Sequence, residues 1–487
     1  MHKNFIDGKF VESPNAERIA VINPARGTRI SEIPDTPAAM VGDAIAAAKR
    51  AQPAWAKKPP IERAGYLRRI AAKLRQHGDE IARIITEEQG KLLDLAKVEA
   101  AFTADFIDYM AEWARRIEGE IIASDRPGEN IFLFRQPIGV IGGILPWNFP
   151  FFLIARKMAP ALLTGNTIVL KPSEETPNNA AKFVELLAQT DLPPGVFNLV
   201  YGRGATTGVA LTGDPRIGML SFTGSVETGS KIMAAAAVNI TKVNLELGGK
   251  APAIVLPDAN LDLAVKAIRD SRVINSGQVC NCAERIYVHR KVATAFVEKF
   301  VAAMRETTYG DPLGDKPVGM GPLVNATQAR KVEAAVGNAV KAGANVVTGG
   351  KLIEQGGGYY FEPTVITDTR QDMDIMQREI FGPVAPIHLI DSLDEAIEKA
   401  NDSVYGLTSS IFSNDASRIF RFVDEIETGM THINSPTTGG EAHIPFGGSK
   451  GTGIGDREQG STALDFYTEL KVVYVDYTGR KREGNLY

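Results

Sequence analysis

The stretch Met219–Gly249, MLSFTGSVETGSKIMAAAAVNITKVNLELGG, decides the fold. It reads as an apolar strand ending at Phe222, a turn at Thr223-Gly224, a helix, a second strand over Val243 to Leu247, and a glycine turn at Gly248-Gly249. Upstream, Ile168 to Leu170 runs into Lys171, and Phe197 to Tyr201 runs into Gly202. Short β-rich runs alternating with helical stretches imply an α/β fold with a parallel, doubly wound sheet. Such sheets bind ligands at the carboxyl ends of their strands, where all four runs turn polar or glycine-rich, so a nucleotide site is expected. Beyond Ala251 the alternation resumes with a strand at Ala253 to Leu256, a helix through Leu261, Val265 and Ile268, and a strand at Arg285 to Val288. A second α/β domain is therefore expected to begin near residue 250. Before Val140 helices dominate: one carries Val41, Ala44, Ile45 and Ala48, a second Leu67, Ile70 and Leu74, and another Phe102, Phe106, Ile107 and Met110, with Gly90 as a stop. Phe5 to Ile33 reads as short strands and turns. Leu470 to Tyr477 alternates like an exposed strand that needs a partner edge, for which another subunit is one source.

The 487 residues suffice for two or three domains with large cores. With 44% hydrophobic and 23% charged residues, the composition excludes disordered, collagen-like and disulfide-stapled classes. The net charge is −4 and the only short basic cluster is Arg480, Lys481 and Arg482, so no nucleic-acid partner is expected. The two cysteines, Cys280 and Cys282, are too close to frame a fold and too few for a four-cysteine zinc site, which fits a reducing compartment. MHKNFIDGKFVESPN has neither the apolar core of a secretory signal nor the character of a transit peptide. No apolar run reaches the roughly 18 residues that span a bilayer, so a cytoplasmic, soluble protein without a membrane partner is expected.

Several residues can carry chemistry. Gly202, Gly204 and Gly208 give GxGxxxG, which departs from the dinucleotide fingerprint and suits a plain glycine turn equally. Gly224 and Ser225 open a helix whose free N–H groups can face a pyrophosphate or simply be capped. Cys280 sits in the loop NSGQVCNC between a helix and a strand, a place for a nucleophile as well as for a small buried side chain. Cys282 fits the second description, although on an extended segment both sulfurs would share a face. Glu246 and Glu379 stand among apolar residues and glycines, where burial raises a carboxyl toward a useful base or an ion pair forms instead. Asn148, in LPWNFPF, is either an N-cap or a donor at a helix start.

In order along the chain stand PWNFP, KPSE, FTGS, LELGGK, GQVC, EIFGP and PFGGSKGTG, and together they resemble the aldehyde dehydrogenase superfamily over essentially the whole chain. The resemblance implies a Rossmann-like cofactor domain from residues 1–117, 139–250 and 446–468, a second α/β catalytic domain from residues 251–445, and a β-strand oligomerisation element from residues 118–138 and 469–487. It implies that Cys280 is the nucleophile, that Asn148 and the backbone N–H of Cys280 form the oxyanion hole, and that Glu246 is the base for thioester hydrolysis. It further implies cofactor contacts from Trp147, Lys171, Glu174, Gly204, Phe222, Gly224, Ser225, Leu247, Glu379 and Phe381. Glu174 would bond the adenosine ribose and repel a 2′-phosphate, which selects NAD over NADP. No metal is required, and a homo-oligomer, dimer or tetramer, is implied.

Substrate choice rests on side chains near the nucleophile. On a helix beginning at NFPFFLIARK, Asn148, Phe152 and Arg156 recur every four residues and point the same way. Arg156 would then meet an oxygenated substrate, a hydroxyaldehyde or a semialdehyde, or pair with a protein carboxylate. The segments FTADFIDYMAEWARR, SDRPGEN, NFPFFLIARKMAPALLTGN and DSRVINSGQVCNCAER resemble the bacterial lactaldehyde and glycolaldehyde dehydrogenase branch. The stretch SPTTGGEAHIPFGGSKGTG reads more like the general superfamily and some α-ketoglutaric semialdehyde dehydrogenases; its His443 and Glu441 either contact a substrate hydroxyl or stabilise the loop. Succinic or α-ketoglutaric semialdehyde oxidation is the rival reading. A non-catalytic member of the fold and an enzyme acylating coenzyme A are weaker ones.

Overall fold

In the computed structural model, which describes residues 1–480, five parallel strands form the centre of an eight-stranded sheet. They are β1 (Val140–Ile144), β2 (Thr167–Lys171), β3 (Phe197–Leu199), β4 (Met219–Thr223) and β5 (Lys242–Glu246), in the spatial order β3-β2-β1-β4-β5. That is the doubly wound order, with the switch in direction beside β1. The runs TIVLK and MLSF are buried throughout because helices cover both faces of a parallel sheet. Antiparallel strands close the edges, Asn4–Ile6 beside β3 and Gly453–Ile454 beside β5.

The second sheet begins immediately after β5. It is built from β6 (Ala251–Val255), β7 (Ala283–His289), β8 (Thr364–Thr367), β9 (Val384–Ile390), β10 (Thr408–Phe412) and β11 (Met430–Ile433), in the order β8-β9-β7-β6-β10-β11, with Asn345–Thr348 antiparallel at the β8 edge. The short connection Leu247–Lys250 therefore passes from one sheet to the other, and the chemistry collects around it.

Four helices matter to the site: α1 (Leu93–Glu112), α2 (Pro150–Leu163), α3 (Val226–Ala237) and α4 (Leu261–Val273). Pro150 suits the first turn of α2, where no N–H is needed, and all 14 residues of that helix are buried. Ser225 caps α3 by accepting the Thr228 N–H, and Asn260 caps α4 by accepting the Leu263 N–H. Gly90, at φ +80°, ends the helix Gly78–Gln89 as expected.

The strand Thr468–Asp476 finds its partner within the chain, pairing antiparallel over nine residues with Glu129–Pro137, which in turn pairs with Glu120–Ala123. The separation of more than 300 residues hid that hairpin-like contact from local pattern. Residues 481–487 of the expected oligomerisation element, with Lys481 and Arg482, lie outside the described residues. No helix among the described residues is long and apolar enough to cross a membrane.

Candidate active site

A cavity of about 430 Å³ opens where β4, β5, α2 and the loop before β7 meet. Its wall includes Trp147, Asn148, Phe152, Arg156, Gly224, Ser225, Glu246, Leu247, Cys280, Glu379 and Phe381, drawn from positions scattered over more than 230 residues. Lys171, Glu174, Gly204 and Phe222 lie outside this wall. Lys171 ends β2, its ammonium 3.3 Å from the Glu174 carboxylate and 3.0 Å from the Pro172 carbonyl. Gly204 starts the single π turn Gly204–Gly208, and a Cβ there would meet no atom within 4 Å.

The nucleophile loop is tightly held. Asn275 and Ser276 take positive φ values of 48° and 58°, conformations that non-glycine residues adopt only when their surroundings impose them. Ser276 donates to the Gly321 carbonyl, while Gln278 donates to Asn275 and accepts from Val324. At Gly249, just beyond β5, a Cβ would lie 2.2 Å from the Cys280 carbonyl oxygen, so only glycine permits this close approach. Cys280 is partly exposed in the cavity wall, whereas Cys282 is fully buried. The segment between them is a turn, not extended chain, so the expected common face for the two sulfurs is absent. Cys282 Sγ instead receives Arg272 at 2.9 Å and donates to the Val279 carbonyl at 2.9 Å.

Asn148 precedes α2 without capping it. Its Oδ1 accepts the Phe149 N–H at 3.1 Å, and its Nδ2 donates to the Gln278 carbonyl at 3.1 Å, tying it to the nucleophile loop. One amide hydrogen then remains for an oxyanion. The capping role belongs to Glu99 of α1, which accepts the N–H groups of Phe151 and Phe152 at 2.9 and 3.1 Å.

Electrostatics separate the titratable groups. Burial, reinforced by the carboxylates of Glu246 and Glu379, pushes the Cys280 thiol up to about 12. Burial also drives Glu246 up to about 8, against the pull of Arg156. Glu379 rises to about 7 by burial; one of its oxygens accepts the Gly249 N–H at 2.9 Å and the other has no hydrogen-bond partner among the described residues. A thiol this hard to ionise needs a neighbouring base, and Glu246 occupies the same cavity in the range where a carboxyl serves as one near neutral pH.

Arg156 reaches the cavity wall but already faces protein charge. Its Nε lies 2.6 Å from Glu458, a terminal nitrogen lies 3.8 Å from Glu246, and the guanidinium stacks on Phe446 at 4.3 Å. Lys157 joins the same buried group, with Glu458 at 3.2 Å and Ser221 at 2.9 Å. Pattern reasoning missed Glu458, Lys157, Glu99 and Lys91, none of which stands in a motif that marks it. His443 does not line the cavity: the chain turns through Gly439 and Gly440 at φ +120° and +147°, and His443 lies exposed, its ring 6.5 Å from that of Tyr109. Glu441 is likewise exposed.

The aldehyde dehydrogenase family profile matches residues 10–473. The chain is 55% identical to the lactaldehyde dehydrogenase of Escherichia coli, covering 97% of this chain and 98% of that protein. A crystal structure of that enzyme superposes with a TM-score of 0.96 over 98% of this chain and 99% of the other. Glutarate-semialdehyde dehydrogenase of Pseudomonas aeruginosa is 42% identical over 96% of each chain. Betaine aldehyde dehydrogenase of Staphylococcus aureus, solved in complex with NAD+, is 34% identical with a TM-score of 0.96 over 99% of this chain and 95% of the other.

Proposed function

The chain belongs to the aldehyde dehydrogenase family, and from that premise we propose that it oxidises a short 2-hydroxyaldehyde of the lactaldehyde or glycolaldehyde type to its acid with NAD. The observation that carries this reading is the convergence of Cys280, Glu246 and Asn148 in one cavity whose arginine is held by the Glu458 carboxylate at 2.6 Å.

Glu246 takes the Cys280 proton, and the thiolate adds to the aldehyde carbon. The Asn148 amide and the Cys280 N–H, which has no hydrogen-bond partner among the described residues, hold the oxygen of the thiohemiacetal. Losing one such donor costs about 3 kcal/mol of barrier. When bound, NAD would supply the acceptor for the hydride that leaves the thiohemiacetal carbon. Glu246, after releasing the first proton to solvent, deprotonates a water that attacks the thioester, and passes that proton to the departing Cys280 sulfur, which frees the acid and the thiol.

The cofactor side of the cavity fits a dinucleotide. The carboxyl ends of β4 and β5 and the N-terminus of α3 face it, and Glu379 keeps one oxygen for a ribose hydroxyl. Trp147 and Phe381, with ring centres 5.4 Å apart, and Leu247 supply apolar walls. A Cβ at Gly224 would strike the Phe222 ring at 2.3 Å. Lys171 and Glu174 would take the adenosine ribose, with Glu174 disfavouring a 2′-phosphate.

Phe152 packs between Phe102 and Phe106, with ring centres at 4.7 and 5.5 Å, and narrows the substrate end. Arg156 and Lys157 share the Glu458 carboxylate, at 2.6 and 3.2 Å, so the guanidinium is already engaged by protein and is not presented to the distal carboxylate of a semialdehyde. We assign Arg156 to the substrate end as a neighbour of a hydroxyl, not as a carboxylate clamp. The division into two α/β domains and an oligomerisation element is kept as part of this reading, as are a cytoplasmic location and a homo-oligomer. The three-stranded sheet leaves Ile121, Leu470 and Tyr474 exposed for such an assembly.

The test is kcat/KM with NAD for L-lactaldehyde, glycolaldehyde, succinic semialdehyde, α-ketoglutaric semialdehyde and propanal in one buffer. The two hydroxyaldehydes are expected to lead. A semialdehyde in first place would overturn the substrate assignment and make Arg156 a carboxylate ligand.

A further inference from the structure

One buried ion pair, whose Glu99 stands in the wall of the reaction cavity, takes no part in the chemistry described above. Lys91 and Glu99, both with fully buried side chains, lie 2.5 Å apart. Lys91 follows the helix stop at Gly90, and Glu99 lies on the second turn of α1, so the pair joins two elements that flank the start of α2. Each partner makes further bonds, and all of them run to the same short segment. The Lys91 ammonium donates to the Asn148 carbonyl at 2.7 Å and lies 3.5 Å from the centre of the Phe149 ring. The second Glu99 oxygen receives the N–H groups of Phe151 and Phe152. The Asn148 carbonyl also accepts from Asn275 of the nucleophile loop at 3.3 Å.

We propose that Lys91 and Glu99 are positioning residues for the oxyanion site: they clamp the peptide that carries Asn148 from one side and the first turn of α2 from the other, and so hold Asn148 in register with Cys280. Neither touches the reacting atoms. The inference rests on the reading of Asn148 as the oxyanion donor. Its physical ground is that a charge-assisted contact to a carbonyl and a carboxylate on two consecutive helix N–H groups fix position far more sharply than apolar packing does. A displacement of about 1 Å at such a donor costs on the order of a hundredfold in rate. A pair placed only for stability would have no reason to direct its remaining bonds to this segment, since an apolar pair of the same volume would serve the fold as well.

The experiment is a double-mutant cycle on the full-length enzyme with NAD and L-lactaldehyde, or with whichever aldehyde leads the panel. Glu99→Gln is expected to lower kcat by roughly tenfold to a hundredfold while KM for NAD stays within about twofold. In an Asn148→Ala background the same substitution is expected to lower kcat by less than about twofold, because the group it positions is gone. Equal losses in both backgrounds would overturn the positioning proposal alone. An Asn148→Ala enzyme with undiminished kcat would overturn the oxyanion reading and the proposal with it. Thermal unfolding of each variant checks the fold. If Glu99→Gln does not fold, the neutral pair Lys91→Met/Glu99→Gln leaves no charge stranded and must show the same non-additivity; additive losses there reject the proposal.

Discussion

Glu246 and Glu284 are both buried beside the nucleophile loop, with relative exposures of 5% and 2%, yet they end at opposite extremes. Burial carries Glu246 up to about 8. Against the same upward push, Lys250 and Arg272 hold Glu284 below the usual carboxylate range. The difference lies in the partners. Glu284 receives Lys250 at 2.8 Å and the N–H groups of Ile380 and Phe381 at 2.9 Å each, with Arg272 at 3.6 Å. Glu246 makes no side-chain hydrogen bond with any described residue, and its nearest cation, Arg156, stands 3.8 Å away and closer to Glu458. Pairing, and not burial, therefore decides which carboxylate can accept a proton and which must stay charged. The first is equipped as a base. The second is a strut beneath the loop that presents Glu379 and Phe381.

The sharpest way to break this comparison is Glu246→Gln, which keeps the shape and removes the base. Turnover is expected to fall by about 10²- to 10⁴-fold. Stability should hold or rise, because a neutral amide replaces a carboxyl that no partner compensates in its charged form. Steady-state kcat and the thermal midpoint check both halves. A variant within threefold of the parent turnover would remove Glu246 from the mechanism.

Glu284→Gln asks the converse question. It leaves Lys250 and Arg272 without a carboxylate in a fully buried site, and breaking such a group costs about 3–5 kcal/mol. Urea unfolding should show that loss, while the pH at which turnover is half-maximal stays where it was. A shift of that midpoint without a loss of stability would mean that Glu284, and not Glu246, is the titrating group.

These two residues also show what the sequence discloses and what it hides. The strands Thr167–Lys171 and Met219–Thr223 were legible because a strand buried on both faces is largely apolar along its length. Cys280, Glu246 and Asn148 were legible because each stands in a compact motif whose turn or glycine is itself needed by the fold, as Gly249 is by the Cys280 carbonyl. Glu284, Glu458, Glu99 and Lys91 were not. Their partners lie on other elements, 301 residues away for Lys157 and Glu458, and a lone charged residue in a helix or strand carries no local signature of whom it will meet. The same holds for Arg156: its helical phase placed it at the cavity, but whether it faced substrate or protein depended on Glu458 arriving from the far end of the chain.

The finest test concerns that arrival. Glu458 acts on Glu246 in two ways: its negative charge raises the Glu246 carboxyl directly, and its grip on Arg156 at 2.6 Å keeps the guanidinium from turning fully to Glu246. Glu458→Gln removes both effects, so the Glu246 carboxyl should fall from about 8. The base works only when deprotonated, so turnover rises with pH through that value in the parent enzyme. In the variant the rise should move to lower pH, by about one unit. Lys157 loses its carboxylate at the same time, and its burial already holds the ammonium below its usual range, so it can become neutral and limit the cost to the fold. The kcat–pH profile of the two enzymes decides the matter. A downward shift means that competition for one arginine sets the working pH of the base, whereas an unchanged midpoint means that desolvation alone does so, and the contrast with Glu284 then reduces to the presence of Lys250.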